Sequence, residues 1–147
     1  MNVIGRVASG NPFDLSAGSG TSDADRPDIV GQVSYPKGIT GTWFNTAAFA
    51  RPPVVQANGQ NVFTRLGTVG RDRLYGPGQR SADISVQKNF SLKERYVLEL
   101  HGDAFNITNT PQFTNPDGIL TDPNYGKITG TELDSQRELQ LAARFTF

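Results

Sequence analysis

The chain has 147 residues, with 14 basic and 14 acidic side chains and no cysteine. The even charge balance argues against binding to nucleic acid or to an anionic membrane surface, and the lack of cysteine excludes disulfides, thiolate metal sites and cysteine nucleophiles. Sixteen glycines and nine prolines favour turns and strands over long helices, and no apolar run approaches the roughly 18 residues that a membrane helix requires.

The first half of the sequence predicts one weak strand followed by a long irregular segment. Alternation indicates a strand over about residues 2–17, interrupted by SGNP. The N-terminal sequence MNVIGRVASG has no signal-peptide pattern, so we expect either an intracellular protein or a piece of a longer one. The stretch over residues 18–78 is predicted to be a loop.

Three clearer strands are predicted at about residues 81–90, 94–106 and 137–147. Each alternates apolar and polar residues with period two, which indicates half-buried strands. Their lengths approach the roughly 9–11 residues of a strand that crosses a bilayer at a tilt. In the last strand the alternate apolar positions are Leu139, Leu141, Ala143, Phe145 and Phe147.

The connections between these strands differ greatly in length. Only SLKE, residues 91–94, separates the first two, whereas residues 107–135 separate the last two. Outer-membrane barrels have this asymmetry, with short periplasmic turns and long extracellular loops. A soluble antiparallel sandwich would also alternate, but it does not explain the strand lengths or the loop asymmetry. The predicted fold class is therefore all-β: an antiparallel meander that forms the terminal strands of a transmembrane β-barrel with long extracellular loops.

Aromatic residues are predicted to gather at the periplasmic end of this barrel segment. If the short turn is periplasmic, Phe90, Tyr96 and Phe147 lie at one height on the apolar face. Outer-membrane barrels carry girdles of aromatic residues at both interfaces. We therefore predict that Phe90 and Tyr96 are interfacial aromatics and that the chain ends in a membrane strand.

Six motifs along the chain resemble a known family. They are RPDIVG (26–31), WFNTAAFA (43–50), GTVGRDRLYGPG (67–78), ADISVQKNF (82–90), LELHGDAFNITNTPQF (98–113) and NYGKIT (124–129). In this order they resemble the C-terminal end of TonB-dependent outer-membrane receptors, in particular the acidobacterial type with a carboxypeptidase-regulatory-like domain near the N-terminus. The resemblance implies TonB-energised uptake of a scarce nutrient or chelate.

The resemblance also implies partners for this chain. These are the remaining barrel and plug of a full-length receptor, TonB, and the barrel-assembly machinery, which reads a terminal aromatic strand. We predict that the strand with Leu139, Leu141, Phe145 and Phe147 is this C-terminal assembly strand. The chain itself shows no plug, and its four predicted strands cannot close a barrel of about 22 strands. It is predicted to be a fragment, or else a structural protein that self-assembles with other copies through its open edges into a fibre or ring.

No residue pattern in the sequence predicts catalysis, a cofactor or a metal site. His101, the single histidine, is predicted to be a polar wall residue rather than a metal ligand, because no second nitrogen ligand is present. Two aspartate-rich groups lack EF-hand spacing and favour Asx turns over calcium binding. Their members are Asp23, Asp25 and Asp28, and Asp117, Asp122 and Asn124.

One aromatic cluster in the first long loop allows two interpretations. Trp43, Phe44 and Phe49 fall within seven consecutive residues. They either staple the loop to the barrel rim as a small hydrophobic cluster or form aromatic anchors of a ligand surface. The sequence favours the staple, because the motif that contains these aromatics belongs to the family resemblance.

Overall fold

The computed structural model describes residues 1–18, 25–36, 41–93 and 95–147. These residues form ten strands and one short 3₁₀ helix, Thr46–Ala48, and contain no α-helix. The strands in chain order are β1 (Asn2–Ala8), β2 (Pro12–Phe13), β3 (Asp28–Ile29), β4 (Phe49–Ala50), β5 (Val54–Ala57), β6 (Gln60–Phe63), β7 (Leu74–Tyr75), β8 (Gln79–Lys93), β9 (Tyr96–Phe105) and β10 (Glu138–Thr146).

The chain divides into two compact units, which we call the sheet unit and the loop unit. The sheet unit consists of Met1–Ser9, Gly78–Gln112 and Thr131–Phe147. The loop unit consists of the described parts of Gly10–Pro77 together with Phe113–Gly130. The loop unit therefore combines residues from both long connections of the predicted barrel segment.

The sheet unit contains one antiparallel sheet with the strand order β1-β8-β9-β10. Each neighbouring pair is antiparallel, and β8, β9 and β10 follow one another as a meander. Within the described residues this sheet is open, with β1 and β10 at its edges. The all-β antiparallel class predicted from the sequence is confirmed.

The first strand is shorter than the sequence predicted. It ends at Ala8 instead of near residue 17, and the chain then passes into the loop unit. The chain leaves the sheet just before Gly10. Only glycine is tolerated at this position, because a Cβ atom there would collide with the carbonyl group of Gly76. Pro12 follows and has no backbone N–H with which to extend the ladder.

The hairpin of β8 and β9 also differs in its bounds from the predicted one. Strand β8 runs to Lys93, with a register shift between Ser91 and Lys93, so it includes the first three residues of the predicted SLKE turn. Glu94, the last residue of that predicted turn, lies outside the described residues. The shift is a β-bulge, which increases the local twist at the end of the hairpin.

The segment predicted as an irregular loop over residues 18–78 contains regular structure. The loop unit holds three small antiparallel ladders, β2 with β7, β3 with β4 and β5 with β6. Asn58 and Gly59 both have positive φ, 53° and 77°, and turn the chain between β5 and β6, as the two central residues of a tight hairpin require. The other ladders are two residue pairs long, too short to produce visible alternation.

The hydrophobic core lies in the loop unit. Its buried residues come from distant parts of the sequence, because the chain passes the centre of the unit several times. They are Leu15, Phe44, Ala48, Phe49, Val69 and Leu74.

Candidate functional site

One face of the sheet is apolar and exposed. The register aligns Ile84 with Ala104 and Leu139, and Val86 with Gly102 and Leu141. Leu139 is 70% exposed and Leu141 is 88% exposed, which is the state of side chains in a single sheet layer with nothing packed on it. The residues of β8, β9 and β10 on this face are Arg80, Ala82, Ile84, Val86, Lys88, Phe90, Tyr96, Leu98, Leu100, Gly102, Ala104, Leu139, Leu141, Ala143 and Phe145.

Aromatic rings gather at the turn end of the apolar face. Tyr96 stacks on Phe145 with ring centroids 5.9 Å apart, and Phe145 stacks on Phe147 at 6.2 Å. Leu98 lies between Phe90 and Phe145 in the register. The structure therefore brings the predicted interfacial aromatics and the aromatic end of the last strand together in one band across three strands.

The opposite face of the sheet is polar and carries a hydrogen-bonded network. The Oγ of Ser85 lies 3.0 Å from Nε2 of His101, and the same nitrogen lies 3.2 Å from Oδ1 of Asp103. Gln87 donates to Glu99 at 2.6 Å. His101 is thus a member of a polar wall, and no group of three or more potential metal-ligating side chains occurs in the described residues.

The predicted aromatic cluster forms the centre of the loop unit. Phe44 is fully buried and contacts three other rings, Phe13 at 5.9 Å, Phe49 at 5.7 Å and Tyr125 at 5.4 Å between centroids. Trp43 lies at the edge of this core, where its indole N–H donates to the backbone oxygen of Tyr75 at 2.8 Å.

Part of this core could not be predicted from the sequence. No periodicity marks the buried residues Leu15, Val69 and Leu74 or the partly buried Tyr125, because each is isolated in loop sequence. Burial raises the pKa of Tyr125, because the phenolate would lose its solvation. The one available signal was the loop aromatics themselves, since an aromatic cluster requires apolar partners.

An ion pair fixes the RPDIVG segment within the loop unit. Arg65 donates to both carboxylate oxygens of the buried Asp28 at 2.7 Å each, and the backbone N–H of Thr68 donates to the same carboxylate at 3.1 Å. The hydrogen bonds from Arg65 hold the pKa of Asp28 below its ordinary value. Bidentate pairs of this kind add geometric specificity as well as energy.

The aspartates that could have bound calcium make local hydrogen bonds. Asp117 accepts from the N–H of Ile119, and Asp122 accepts from the N–H of Asn124, each at 2.7 Å. Both are Asx-type contacts two residues ahead in the chain. Asp25 is buried and accepts a hydrogen bond from Ser16, and Asp23 lies outside the described residues.

Comparison with known proteins identifies the family of this chain. In the described part of the chain, no helix has the length and apolar character needed to cross a membrane. No curated protein and no solved structure matches. A family profile described as outer membrane beta barrel domain matches residues 1–140. The chain therefore belongs to the outer membrane β-barrel domain family, is located in the bacterial outer membrane and contributes wall to a barrel.

Proposed function

We propose that this domain is the wall and outer-loop portion of a TonB-dependent receptor, which takes up a scarce nutrient or chelate across the outer membrane. The observation that carries the proposal is the loop unit. Two connections that are separated in sequence by β8 and β9 fold together around one hydrophobic core. A simple pore needs loops only to join its strands, whereas a receptor needs an ordered surface that can bind a ligand.

The sheet unit supplies the barrel wall of this receptor. Its apolar face suits lipid and its polar face suits a water-filled interior, as in outer-membrane barrels generally. Four strands leave two edges whose backbone groups are unpaired within the described sheet, and such edges are not tolerated in a bilayer. We propose that the remaining barrel of the receptor pairs with β1 and β10, that a plug fills the interior and that TonB supplies energy.

The proposal is tested by comparing two gene disruptions in the natural host. Loss of the gene that contains this chain should abolish growth on a particular nutrient or chelate in a panel of sole sources. Loss of TonB should abolish growth on the same source, because the receptor depends on it. A defect that appears in the first strain but not in the TonB-deficient strain would contradict energised uptake and indicate a passive pore.

A second candidate function is supported by the open edges of the sheet. Exposed edge strands promote pairing between chains, so a self-assembling structural β protein is the alternative. In that case the apolar face is buried against protein, and uniform particles form in plain buffer. In the receptor, the same face requires lipid or detergent. Light scattering of the purified protein with and without detergent distinguishes the two.

A further inference from the structure

Lys88 is a charged residue within the apolar face of the sheet, between Val86 and Phe90, whereas Arg80 lies at the opposite end of β8 from the turn. Lys88 is aligned with Leu100 on β9 and, beyond that, with Ala143 on β10, and its side chain is exposed. The described strands β8, β9 and β10 place no acidic residue on this face. A charged group that faces lipid is unfavourable unless it reaches the interface, so the position of this ammonium group requires an explanation.

The lysine side chain is directed toward the turn end of the sheet. Its Nζ atom lies 5.9 Å from the ring centroid of Phe90, which is two residues nearer the turn. Two residues of a strand tilted by about 45° correspond to about 5 Å of membrane depth. The long aliphatic stem can cover this depth while it lies on apolar surface. The ammonium group therefore reaches the aromatic band, which is predicted to lie at the periplasmic interface.

A groove lies on the other side of Lys88, toward the middle of the membrane. It has a volume of about 440 Å³, and its lining includes Val86, Lys88, Leu100 and Leu141. Gly102 forms its floor, since it is the position on this face of β9 that carries no side chain. The lining also includes His101 and Ala142, whose positions in the register belong to the opposite face. On the apolar face the groove is thus lined by apolar residues, with one cationic group at its turn end.

We propose that this groove binds one phospholipid of the inner leaflet, with the lipid phosphate on Lys88 and an acyl chain over Gly102. The charges are complementary, and the direction fits, because an inner-leaflet lipid has its phosphate at the periplasmic side and its chains toward the midplane. The cation and the groove are both needed: one binds the headgroup and the other binds the hydrocarbon. This inference depends on the barrel wall and not on TonB-energised uptake.

The test measures lipid retention by the natural protein that contains this chain. The protein is purified in detergent, titrated with phosphatidylglycerol and analysed by native mass spectrometry. Lys88→Gln should weaken binding of the first lipid about fivefold, the contribution of one lysine near an anionic membrane surface. Lys88→Arg should restore binding. Arg144→Gln, which removes one positive charge from the polar face in the neighbouring row, should leave it unchanged.

The groove is tested separately by filling it. Gly102→Leu should weaken binding of the first lipid by a similar factor, because the new side chain occupies the acyl position. Ala104→Leu adds bulk to the same face of β9 one row away and should have no effect. Folding of every variant is checked by its heat-dependent migration on a denaturing gel. If Lys88→Gln does not fold, the comparison of Gly102→Leu with Ala104→Leu decides the matter.

Three results would overturn the proposal. Equal lipid retention by the wild type and Lys88→Gln would exclude a role for the ammonium group. Equal effects of Gly102→Leu and Ala104→Leu would exclude the groove. Displacement of the lipid by excess inorganic phosphate would indicate a simple anion site in which the acyl chain contributes nothing.

Discussion

The sheet unit and the loop unit place their apolar side chains in opposite environments. Every buried hydrophobic residue in the described part of the chain belongs to the loop unit, and Phe44 and Leu74 there have no exposed surface. In the sheet unit, Leu141 is 88% exposed, and the buried residues are the polar Asn106 and Ser135.

The difference shows which solvent each unit is adapted to. A unit in water must bury apolar surface within itself, at a gain of roughly 25 cal/mol per Å². A barrel wall can leave its apolar face bare, because lipid covers it. The loop unit therefore has the organisation of a small water-soluble domain, whereas the sheet unit depends on the membrane.

The largest expected effect comes from emptying the loop core. Phe44→Ala should destabilise the loop unit by about 3–5 kcal/mol, because it removes a buried ring and leaves a cavity between three other aromatics. Hydrogen exchange of the folded protein, resolved by peptide, should show lost protection across the loop segments while β8, β9 and β10 keep theirs.

A matched control is available in the same unit. Leu66 is more than half exposed, so Leu66→Ala should change loop protection by less than about 0.5 kcal/mol. If Phe44→Ala also removed protection from the sheet strands, the two units would not be independently stabilised, and the contrast between them would be wrong.

The next effect tests the lipid-facing side of the wall. Leu141 lies on the apolar face, about four residues outward from the aromatic band, and Gln140 lies on the polar face beside it. Leu141→Arg should cost about 2–4 kcal/mol of folding free energy in lipid vesicles, whereas Gln140→Arg should be tolerated. Urea titrations of folding into vesicles measure both values. An equal cost for the two variants would mean that the face assignment is wrong.

The two units also differed in how well the sequence predicted them. Strands β8, β9 and β10 were visible because a wall with lipid on one side and polar groups on the other imposes strict alternation over their whole length. The predicted N-terminal strand is too long because the alternation in the sequence continues weakly past Gly10. The close approach of another segment at Gly10 ends the strand. Local pattern contains no information about that approach.

The loop core could be predicted only in part. Trp43, Phe44 and Phe49 are predictable as a cluster because they are close together in sequence. Leu15, Val69 and Leu74 reach the same core through long-range folding of the chain, and ladders of two residue pairs have no period to detect. Residues that meet by tertiary contact alone leave no signal in a single sequence.

A smaller effect is expected from the polar interior of the sheet unit. The amide of Asn106 donates to the backbone oxygens of Thr110 at 2.9 Å and Ser135 at 2.6 Å, and its oxygen accepts from the N–H of Thr110. Asn106→Ala should cost about 1–3 kcal/mol, because buried carbonyl groups lose their donors. Asn106 also has a positive φ of 44°. Asn106→Gly relieves this backbone strain, so any cost that remains in that variant measures the hydrogen bonds.

The smallest effect is a pH dependence confined to the loop unit. The folded pKa of Asp28 lies below the ordinary 3.8, chiefly because of its hydrogen bonds from Arg65. Asp28 is therefore still charged in the folded unit at a pH where the unfolded chain binds a proton, so this contribution to stability is fully present above 3.8. It should be lost as the pH falls through the lower folded value.

Urea unfolding followed by Trp43 fluorescence should show this loss in the wild type and not in Asp28→Asn. Asp122→Asn, which removes a half-buried turn carboxylate that is not paired with Arg65, should keep the wild-type pH dependence. If the free energy of unfolding of the wild-type loop unit does not change across this range, the Asp28–Arg65 pair orients its segment but does not stabilise the unit.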